Sequence, residues 1–149
     1  MLPADKQEYR ARLQTMRNLG FNYVRHHSAV PHDEYFEAAD EIGILVQPEF
    51  GCAYTVFMQR GEELFRKEWP QMIMAFRNHP CILNWCMGNE FDHAGLSAQM
   101  DTLRAAYHMA KRLDPTRPVH TTDGGSIHDP SDYRDLRFPT HDLSKPALL

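Results

Sequence analysis

The sequence predicts an α/β fold built on parallel strands, and three observations support this prediction. Segments with helical periodicity alternate with short apolar segments, the connections are short, and glycine or proline marks the element ends. Such alternation is typical of βαβ units. It leaves two architectures open, a doubly wound open sheet and a (β/α)₈ barrel. An open sheet that binds a phosphate usually has a Gly-rich turn after its first strand. No predicted strand runs into such a turn, which favours the barrel.

Each predicted element rests on a periodic pattern and on the residue that ends it. Apolar residues three and four positions apart predict the helices, and short apolar runs predict the strands. Gly20 is expected to be a left-handed C-cap residue, Gly43 ends the second helix, and Pro70 indicates a third helix that is kinked or begins nearby. The predicted elements are, in order, a helix at about 5–19, a strand at 21–25, a helix from Pro31 and Asp33 to Gly43, a strand at 44–47, a helix containing Phe65 to Phe76, a strand at 81–87, a helix containing Leu96 to Ala110 that closes at Asp114-Pro115, and a strand at 118–122.

The remaining residues, 125–149, are rich in Asp, Pro and His and are predicted to form an irregular tail. Within this tail, only the segments FPTH and PALL resemble short strands. No internal repeat, low-complexity tract or linker divides the sequence. Residues 1–149 are therefore predicted to form a single domain.

The composition excludes several classes of partner. A net charge of −4 and a pI near 6.1 provide no basic surface, so we expect no nucleic-acid partner. No apolar run approaches the roughly 18–20 residues of a membrane-spanning helix, so we expect no membrane partner. The N-terminal residues have no apolar segment typical of a secretory signal, and the cellular location stays open.

The cysteines and histidines do not indicate a metal site. Cys52, Cys81 and Cys86 lack CxxC spacing, which argues against a disulfide framework or a zinc knuckle. The adjacent His26 and His27 point to opposite faces if they lie in a strand, and the sequence contains no HExxH pattern. We therefore expect neither a metal nor another cofactor.

Polar residues follow each of the four predicted strands. In parallel α/β folds, functional residues collect at the C-terminal strand ends, which meet at one edge of the sheet. A rim rich in hydrogen-bonding groups suits a sugar, whose hydroxyls need partners arranged around a cleft. The four strand ends carry Arg25-His26-His27-Ser28, Gln47-Pro48-Glu49, Gly88-Asn89-Glu90 and Thr121-Thr122-Asp123.

One of these strand ends belongs to a specific motif, NHPCILNWCMGNE at residues 78–90. It resembles the fourth-strand motif of glycoside hydrolase family 2, which includes β-galactosidases, β-glucuronidases and β-mannosidases. Three further segments match in the same order: GFNYVRHHS the second-strand segment, AADEIGILVQPEF the run into the third strand, and LDPTRPV the turn before the fifth. The resemblance covers roughly residues 10–125. It implies part of a TIM barrel, about strands 2 to 5 and the start of strand 7.

The resemblance also implies roles for individual residues. Glu90 becomes the catalytic acid/base, and Asn89 would hydrogen-bond the sugar 2-hydroxyl. Arg25 and Glu49 would shape the site. Independently of the resemblance, His27, Trp85 and Asp123 are further candidates for substrate binding because they lie in or just after the predicted strands. Many members have a sugar-contacting His where this chain has Ser28, so no specific sugar is implied.

Structural interpretations of the same residues stay open. Arg25 and Glu49 form a scaffold ion pair in that interpretation, and Asn89 caps a turn. Trp85 then lies in the core or beneath the site and does not stack on a sugar.

The implied chemistry needs a second carboxylate. A retaining glycosidase uses two carboxyl groups about 5–5.5 Å apart, one as acid/base and one as nucleophile. In the family, the nucleophile is a glutamate that ends the seventh strand. The segment SKPALL resembles the run into that glutamate, and the sequence ends at Leu149. The first barrel strand is also unmatched. We therefore expect a fragment of a retaining β-glycosidase, with little turnover by itself.

Two other functions stay open, a non-catalytic carbohydrate-binding module and an unrelated open-sheet enzyme that binds a nucleotide. The expected ligand is an oligosaccharide or glycoside. An incomplete barrel exposes strand edges, so the remainder of a barrel or a second copy of the chain is an expected protein partner.

Overall fold

Helices and strands alternate along the chain in the computed structural model, which describes residues 5–51, 54–90, 97–123, 130–135 and 147–148. Among the described residues, no helix combines the length and the apolar content that a membrane span requires. The helices are α1 (Lys6–Asn18), α2 (Asp33–Ile42), α3 (Tyr54–Phe76) and α4 (Ser97–Leu113). The strands are β1 (Tyr23–Arg25), β2 (Leu45–Gln47), β3 (Trp85–Cys86), β4 (Val119–His120), β5 (Arg134–Asp135) and β6 (Ala147–Leu148).

The ends of the first two helices confirm the sequence prediction. The Asp5 side chain caps α1 by accepting a hydrogen bond from the Glu8 N–H at 2.9 Å. After α1, Gly20 is left-handed with φ 93°, and the Phe21 N–H donates to the Met16 carbonyl at 3.1 Å, as in a Schellman motif. Gly43 is also left-handed, with φ 76°. Both glycines turn the chain directly into the following strand.

Two predictions about elements need correction. Pro70 lies inside α3, so the alternative in which the helix begins near this proline is wrong. In the tail, β6 falls within the predicted PALL segment, whereas β5 was not predicted because two residues are too few to show an alternating pattern. At these strands the tail is not irregular. The FPTH segment lies outside the described residues.

The strands β1 to β4 lie side by side in the order of the sequence. β1 pairs with β2 and β3 with β4, both parallel, while bridges between Val46 and Ile82 and between Glu49 and Cys86 connect β2 to β3. In a doubly wound sheet the order of strands reverses at a switch point. The described run from β1 to β4 contains no reversal, which favours the barrel type of winding.

The two faces of this sheet differ in polarity. The face toward the helices is apolar and packs into one core with all four helices. Trp69 and Phe36 are completely buried there, and full burial of a large apolar side chain contributes about 1.5–3 kcal/mol. Because successive strand residues point to opposite faces, Gln47, Asn84 and Cys86 face away from this core. They are equally buried, so the opposite face of the sheet is buried at these three positions and carries two amide side chains there.

A cluster of hydrogen bonds stabilises the edge of the sheet where β3 and β4 begin. The Arg117 guanidinium donates to the carbonyls of Arg77, His79 and Ile82 at 2.7–2.8 Å. It also forms an ion pair with Asp114 at 2.7 Å. The Arg117 side chain therefore ties the turn before β4 to the segment between α3 and β3.

Candidate active site

Arg25, the last residue of β1, joins the C-terminal ends of the four parallel strands. Its Nη2 donates to Asn89 Oδ1 at 2.5 Å and lies 2.8 Å from Glu49 Oε2. Its Nε lies 2.9 Å from the same Glu49 oxygen and forms an ion pair with Asp123 Oδ2. We call Arg25, Glu49, Asn89 and Asp123 the rim cluster. All four were predicted site residues, and the structure brings them together.

The strand register explains this convergence. Arg25 pairs with Gln47, and Glu49 lies two residues further along on the same side of the sheet. Glu49 is bridged to Cys86 on the next strand, and Asn89 is bridged to Asp123 on the one after it. Parallel pairing thus brings four segments that are distant in sequence to one edge of the sheet.

Glu49 is completely buried, and both of its carboxylate oxygens accept hydrogen bonds. Oε1 accepts from the Ser28 N–H at 2.7 Å and from its hydroxyl at 3.3 Å. Oε2 is contacted by Arg25 and, at 3.7 Å, by the Cys86 thiol. Burial raises the pKa of Glu49 above its ordinary value, opposed by the hydrogen bonds from Ser28 and Arg25. This arrangement suits a residue that holds Arg25 in place.

Ser28 illustrates how tightly the segment after β1 is constrained. Its backbone has φ 48°, a left-handed conformation that costs a non-glycine residue roughly 1–2 kcal/mol. A hydrogen bond to a charged group contributes about 1.5–3 kcal/mol, so the bond from Ser28 N–H to Glu49 offsets this cost. The Ser28 hydroxyl is directed to the same Glu49 oxygen.

Side chains on β1 and β2 engage the Asp123 carboxylate. Its Oδ2 is engaged by Arg25 Nε and by Gln47 Nε2, the latter at 2.9 Å. The Gln47 carbonyl oxygen in turn accepts from the Tyr23 hydroxyl at 2.7 Å and from Asn84 Nδ2 at 3.0 Å. We call Tyr23, Gln47 and Asn84 the interior network. Burial raises the pKa of Tyr23, which keeps its hydroxyl protonated as a donor.

Glu90 follows Asn89 directly and has an uncommon backbone conformation. Its φ is 46°, again left-handed for a non-glycine residue. Such strain persists where the surrounding structure imposes it, and it occurs most often at functional sites. Here the Glu90 N–H donates to the Asp123 carbonyl at 3.1 Å, and the Asp123 N–H donates to the Gly88 carbonyl at 3.0 Å. The side chain of Glu90 is half-buried.

The remaining predicted residues lie in different surroundings. His27 is exposed in the turn after β1. Its neighbour His26 instead packs edge-on against Tyr35, with ring centroids 4.6 Å apart, and burial lowers its pKa to about 4. The two histidines therefore do not act as a pair.

Trp85 is a candidate for substrate binding with a core position as the alternative, and the structure places it in the core. The side chain is completely buried, and its indole N–H donates to the Asp114 carboxylate at 2.9 Å. Asp114 directly follows α4, so Trp85 faces the helical layer. The cause is the strand phase, which places Trp85 and Cys86 on opposite faces of the sheet.

Sequence reasoning did not identify the interior network. The sequence indicates Gln47 as a polar strand end, whereas Tyr23 and Asn84 lie within predicted strands that are mostly apolar. The available signal was the presence of polar residues at alternate positions within short apolar strands, since barrel interiors are usually filled by Val, Ile and Leu.

Comparison with known proteins agrees with this fold. Residues 4–137 match the family described as "Glycosyl hydrolases family 2, TIM barrel domain". The chain belongs to this family. A beta-galactosidase from Pectobacterium atrosepticum is 33% identical over 131 residues, which cover 82% of this chain and 12% of the relative. A putative beta-glucuronidase from Formosa agariphila is 32% identical over 132 residues, covering 83% of this chain and 12% of the relative.

Solved structures of glycosyl hydrolase family 2 share the fold. A family member from Bacteroides cellulosilyticus matches with a TM-score of 0.76 at 27% identity, covering 89% of this chain and 19% of that protein. The TIM-barrel fold class is thereby confirmed, while the number of barrel strands in the chain stays a prediction. The chain spans 12% of the length of the two curated relatives. The activity of a whole family 2 enzyme is therefore not shown for this chain.

Proposed function

We propose that this chain carries the acid/base half of the catalytic pair of a retaining β-glycoside hydrolase. Glu90 is the acid/base, Asn89 binds the sugar hydroxyl next to the bond that is cleaved, and Arg25 and Glu49 maintain the shape of the site. The observation that supports this proposal is the left-handed backbone of Glu90 beside an asparagine that Arg25 holds at 2.5 Å. Strain of this kind at a strand end is typical of an active site.

The proposed chemistry divides the work between two carboxyl groups. Glu90 gives its proton to the leaving oxygen while a nucleophilic carboxylate attacks the anomeric carbon. Glu90 then removes a proton from water, which cleaves the covalent sugar–enzyme ester and regenerates both groups. We propose that the nucleophile is supplied by a segment outside these 149 residues, since no part of the sequence completes the family's seventh-strand motif.

β-Galactosides and β-glucuronides are the substrates to examine first. The names of the two curated relatives, beta-galactosidase and putative beta-glucuronidase, support this choice. The rim cluster combines one guanidinium with carboxylates and an amide, which is suited to binding sugar hydroxyls.

A small external nucleophile tests the role of Glu90 in the 149-residue chain. Azide attacks the anomeric carbon of a phenyl β-galactoside as the bond to the phenol oxygen breaks, and Glu90 protonates that oxygen. The products are an α-galactosyl azide and phenol, and Glu90 regains its proton from water. We expect azide-dependent release of phenol, with little release in its absence.

Glu90→Gln should slow this reaction by roughly 10²–10⁴-fold, the usual contribution of general acid catalysis. A dinitrophenyl galactoside should be affected much less, because its leaving group departs without a proton. Glu62→Gln on the exposed surface of α3 is the matched control and should behave like the original chain.

Fast hydrolysis without azide would contradict the proposed absence of the nucleophile. Equal rates for Glu90→Gln and the original chain on the phenyl substrate would contradict the acid/base role. Galactoside binding without any azide-dependent cleavage would identify the non-catalytic carbohydrate-binding alternative.

A further inference from the structure

Asp123 contacts both of the residues that the proposed function places at the substrate. We propose that Asp123 is a positioning residue, which orients Asn89 through Arg25 with its carboxylate and holds Glu90 with its main chain. This inference rests on the roles proposed above for Asn89 and Glu90. It replaces the expectation from sequence that Asp123 itself binds the substrate.

The main chain of Asp123 brackets Asn89. The Asp123 N–H donates to the carbonyl of Gly88 at 3.0 Å, and the Asp123 carbonyl accepts from the Glu90 N–H at 3.1 Å. These bonds lie immediately before and after Asn89, which is itself bridged to Asp123. Because both flanking peptide groups are held, the left-handed conformation of Glu90 is imposed from the neighbouring strand end.

The side chain of Asp123 acts on Asn89 indirectly. Asp123 Oδ2 pairs with Arg25 Nε, and Arg25 Nη2 donates to Asn89 Oδ1 at 2.5 Å. A guanidinium group is planar and rigid, so fixing Nε restricts the direction of Nη2. Glu49 contacts the same two nitrogens from the β2 side. Asp123 contacts the Arg25 Nε from the β4 side. The carboxylates of Glu49 and Asp123 together fix the plane of the Arg25 guanidinium.

Gln47 keeps the Asp123 carboxylate in this position. It is completely buried and donates to Asp123 Oδ2 at 2.9 Å, while its own oxygen accepts from Tyr23 and Asn84. The interior network thus extends from the middle of the sheet to the rim. The Asp123 oxygen that these donors engage is directed at the protein, which argues for a positioning role.

The same contact determines which way the Asn89 amide is oriented. Arginine has donors only, so the atom of Asn89 that it approaches must be the carbonyl oxygen. The NH₂ group then lies on the other side of the carboxamide and acts as a donor.

Nuclear magnetic resonance on the ¹⁵N-labelled full chain tests the proposal directly. The two signals to follow are the Arg25 Nε–H group and the Asn89 side-chain NH₂ group. In Asp123→Ala, we expect the Arg25 Nε–H to exchange with solvent at least about tenfold faster, since the ion pair with Asp123 is lost and only the hydrogen bond to Glu49 still protects this group. The Asn89 NH₂ signals should shift toward those of a mobile side chain. Asp123→Asn should fold like the original chain and show smaller changes in the same direction.

Asp132→Asn is the control, because Asp132 also contacts β4, through the Val119 N–H at 2.8 Å, but lies outside the rim cluster. It should leave both signals unchanged. In parallel, the dissociation constant for a non-hydrolysable thio-β-galactoside should rise by about tenfold in Asp123→Ala, because a misoriented Asn89 makes a weaker hydrogen bond to the sugar. It should stay constant in Asp132→Asn.

The outcomes separate this inference from the proposed function. If the original chain binds no glycoside, the proposed function fails, whereas the Arg25 and Asn89 signals still report on positioning. If both signals are unchanged in Asp123→Ala, Asp123 does not position Asn89 and the inference is overturned. If Asp123→Ala does not fold, the same result in Asp123→Asn overturns the inference.

Discussion

Two arginines stand at opposite edges of the same parallel sheet, and their partners differ in kind. Arg117, at the edge where the strands begin, donates to three main-chain carbonyls and pairs with Asp114. Arg25 lies at the edge where the strands end. The partners of its guanidinium described for the rim cluster are all side chains, those of Glu49, Asn89 and Asp123. Their side chains are similarly accessible, 14% for Arg117 and 24% for Arg25.

The difference separates scaffold from site. Main-chain carbonyls are present whatever the side chains are, so Arg117 holds the path of the backbone. Side-chain partners have charge and orientation of their own, so Arg25 orients polar groups at the edge where the strands end. This agrees with the general division in (β/α)₈ barrels, where the edge at the strand beginnings serves stability and the edge at the strand ends serves function.

Removal of Arg117 should have the largest effect on stability. Arg117→Ala leaves three carbonyls and the buried Asp114 carboxylate without this partner, and breaking a buried ion pair costs about 3–5 kcal/mol. Urea unfolding measures the change. Arg104→Ala, which removes an exposed ion pair on α4, is the control and should stay within about 0.5 kcal/mol. A loss below about 1 kcal/mol for Arg117→Ala would refute the scaffold role.

Lysine at each position should separate the two roles more sharply. Lysine keeps the charge but lacks the planar fork of donors. Arg117→Lys should lower the free energy of unfolding by about 2 kcal/mol while leaving azide-dependent cleavage per folded molecule unchanged. Arg25→Lys should lower the cleavage rate at least about tenfold with a stability loss near 1 kcal/mol. Equal effects of the two substitutions on the cleavage rate would contradict the distinction between a scaffold role for Arg117 and a site role for Arg25.

Asp114, the carboxylate beside Arg117, should stabilise the fold in a pH-dependent way. Burial alone would raise its pKa, but hydrogen bonds from Thr116, Arg117 and Trp85 outweigh this and lower the pKa to about 2. Since the folded value lies below the unfolded one, the stabilisation is present above about pH 4 and is lost as the pH falls toward 2. Asp114→Asn should cost about 2 kcal/mol in urea unfolding at pH 6.

The difference between Asp114→Asn and the original chain should shrink when unfolding is repeated at pH 2.5. A difference that stays the same at both pH values would show that the charge of Asp114 is not what stabilises the turn before β4.

Glu49, the carboxylate beside Arg25, should show the opposite sign and the smallest effect. Burial raises its pKa above the ordinary value, so the folded state binds the proton more tightly than the unfolded state. Stability linked to Glu49 is therefore highest below the unfolded pKa and decreases as the pH rises through the folded pKa. Glu49→Gln should remove this decrease. If the free energy of unfolding of Glu49→Gln and of the original chain changes equally between pH 4 and 7, the predicted linkage of stability to Glu49 is contradicted.

Local features were predictable because they depend on neighbours in the chain. Gly20 and Gly43 end their helices as expected, since a left-handed residue after a helix is nearly cost-free only for glycine. The polar strand ends were also predictable, and with the parallel arrangement they indicated that Arg25, Glu49 and Asp123 would share one edge.

Roles that depend on strand phase and packing were not predictable. For Trp85 the sequence left a core position and a stacking position open, and the register with β4 decided for the core. For Asp123 the sequence suggested a substrate contact, which stays a prediction, and it did not indicate the contacts of the carboxylate with Arg25 and Gln47. A shift of one residue reverses the face of every strand side chain, and a run of seven residues does not show its own phase.

The sequence by itself determined the α/β class, the order of the elements and, through its motifs, the family. Those properties follow from periodicity and from residues that are adjacent in the chain. Only the tertiary structure decided which polar side chains meet and which are directed elsewhere. Hydrogen bonds between residues 24 to 76 positions apart, such as those from Arg25 to Glu49 and from Gln47 to Asp123, form only after the strands are in register.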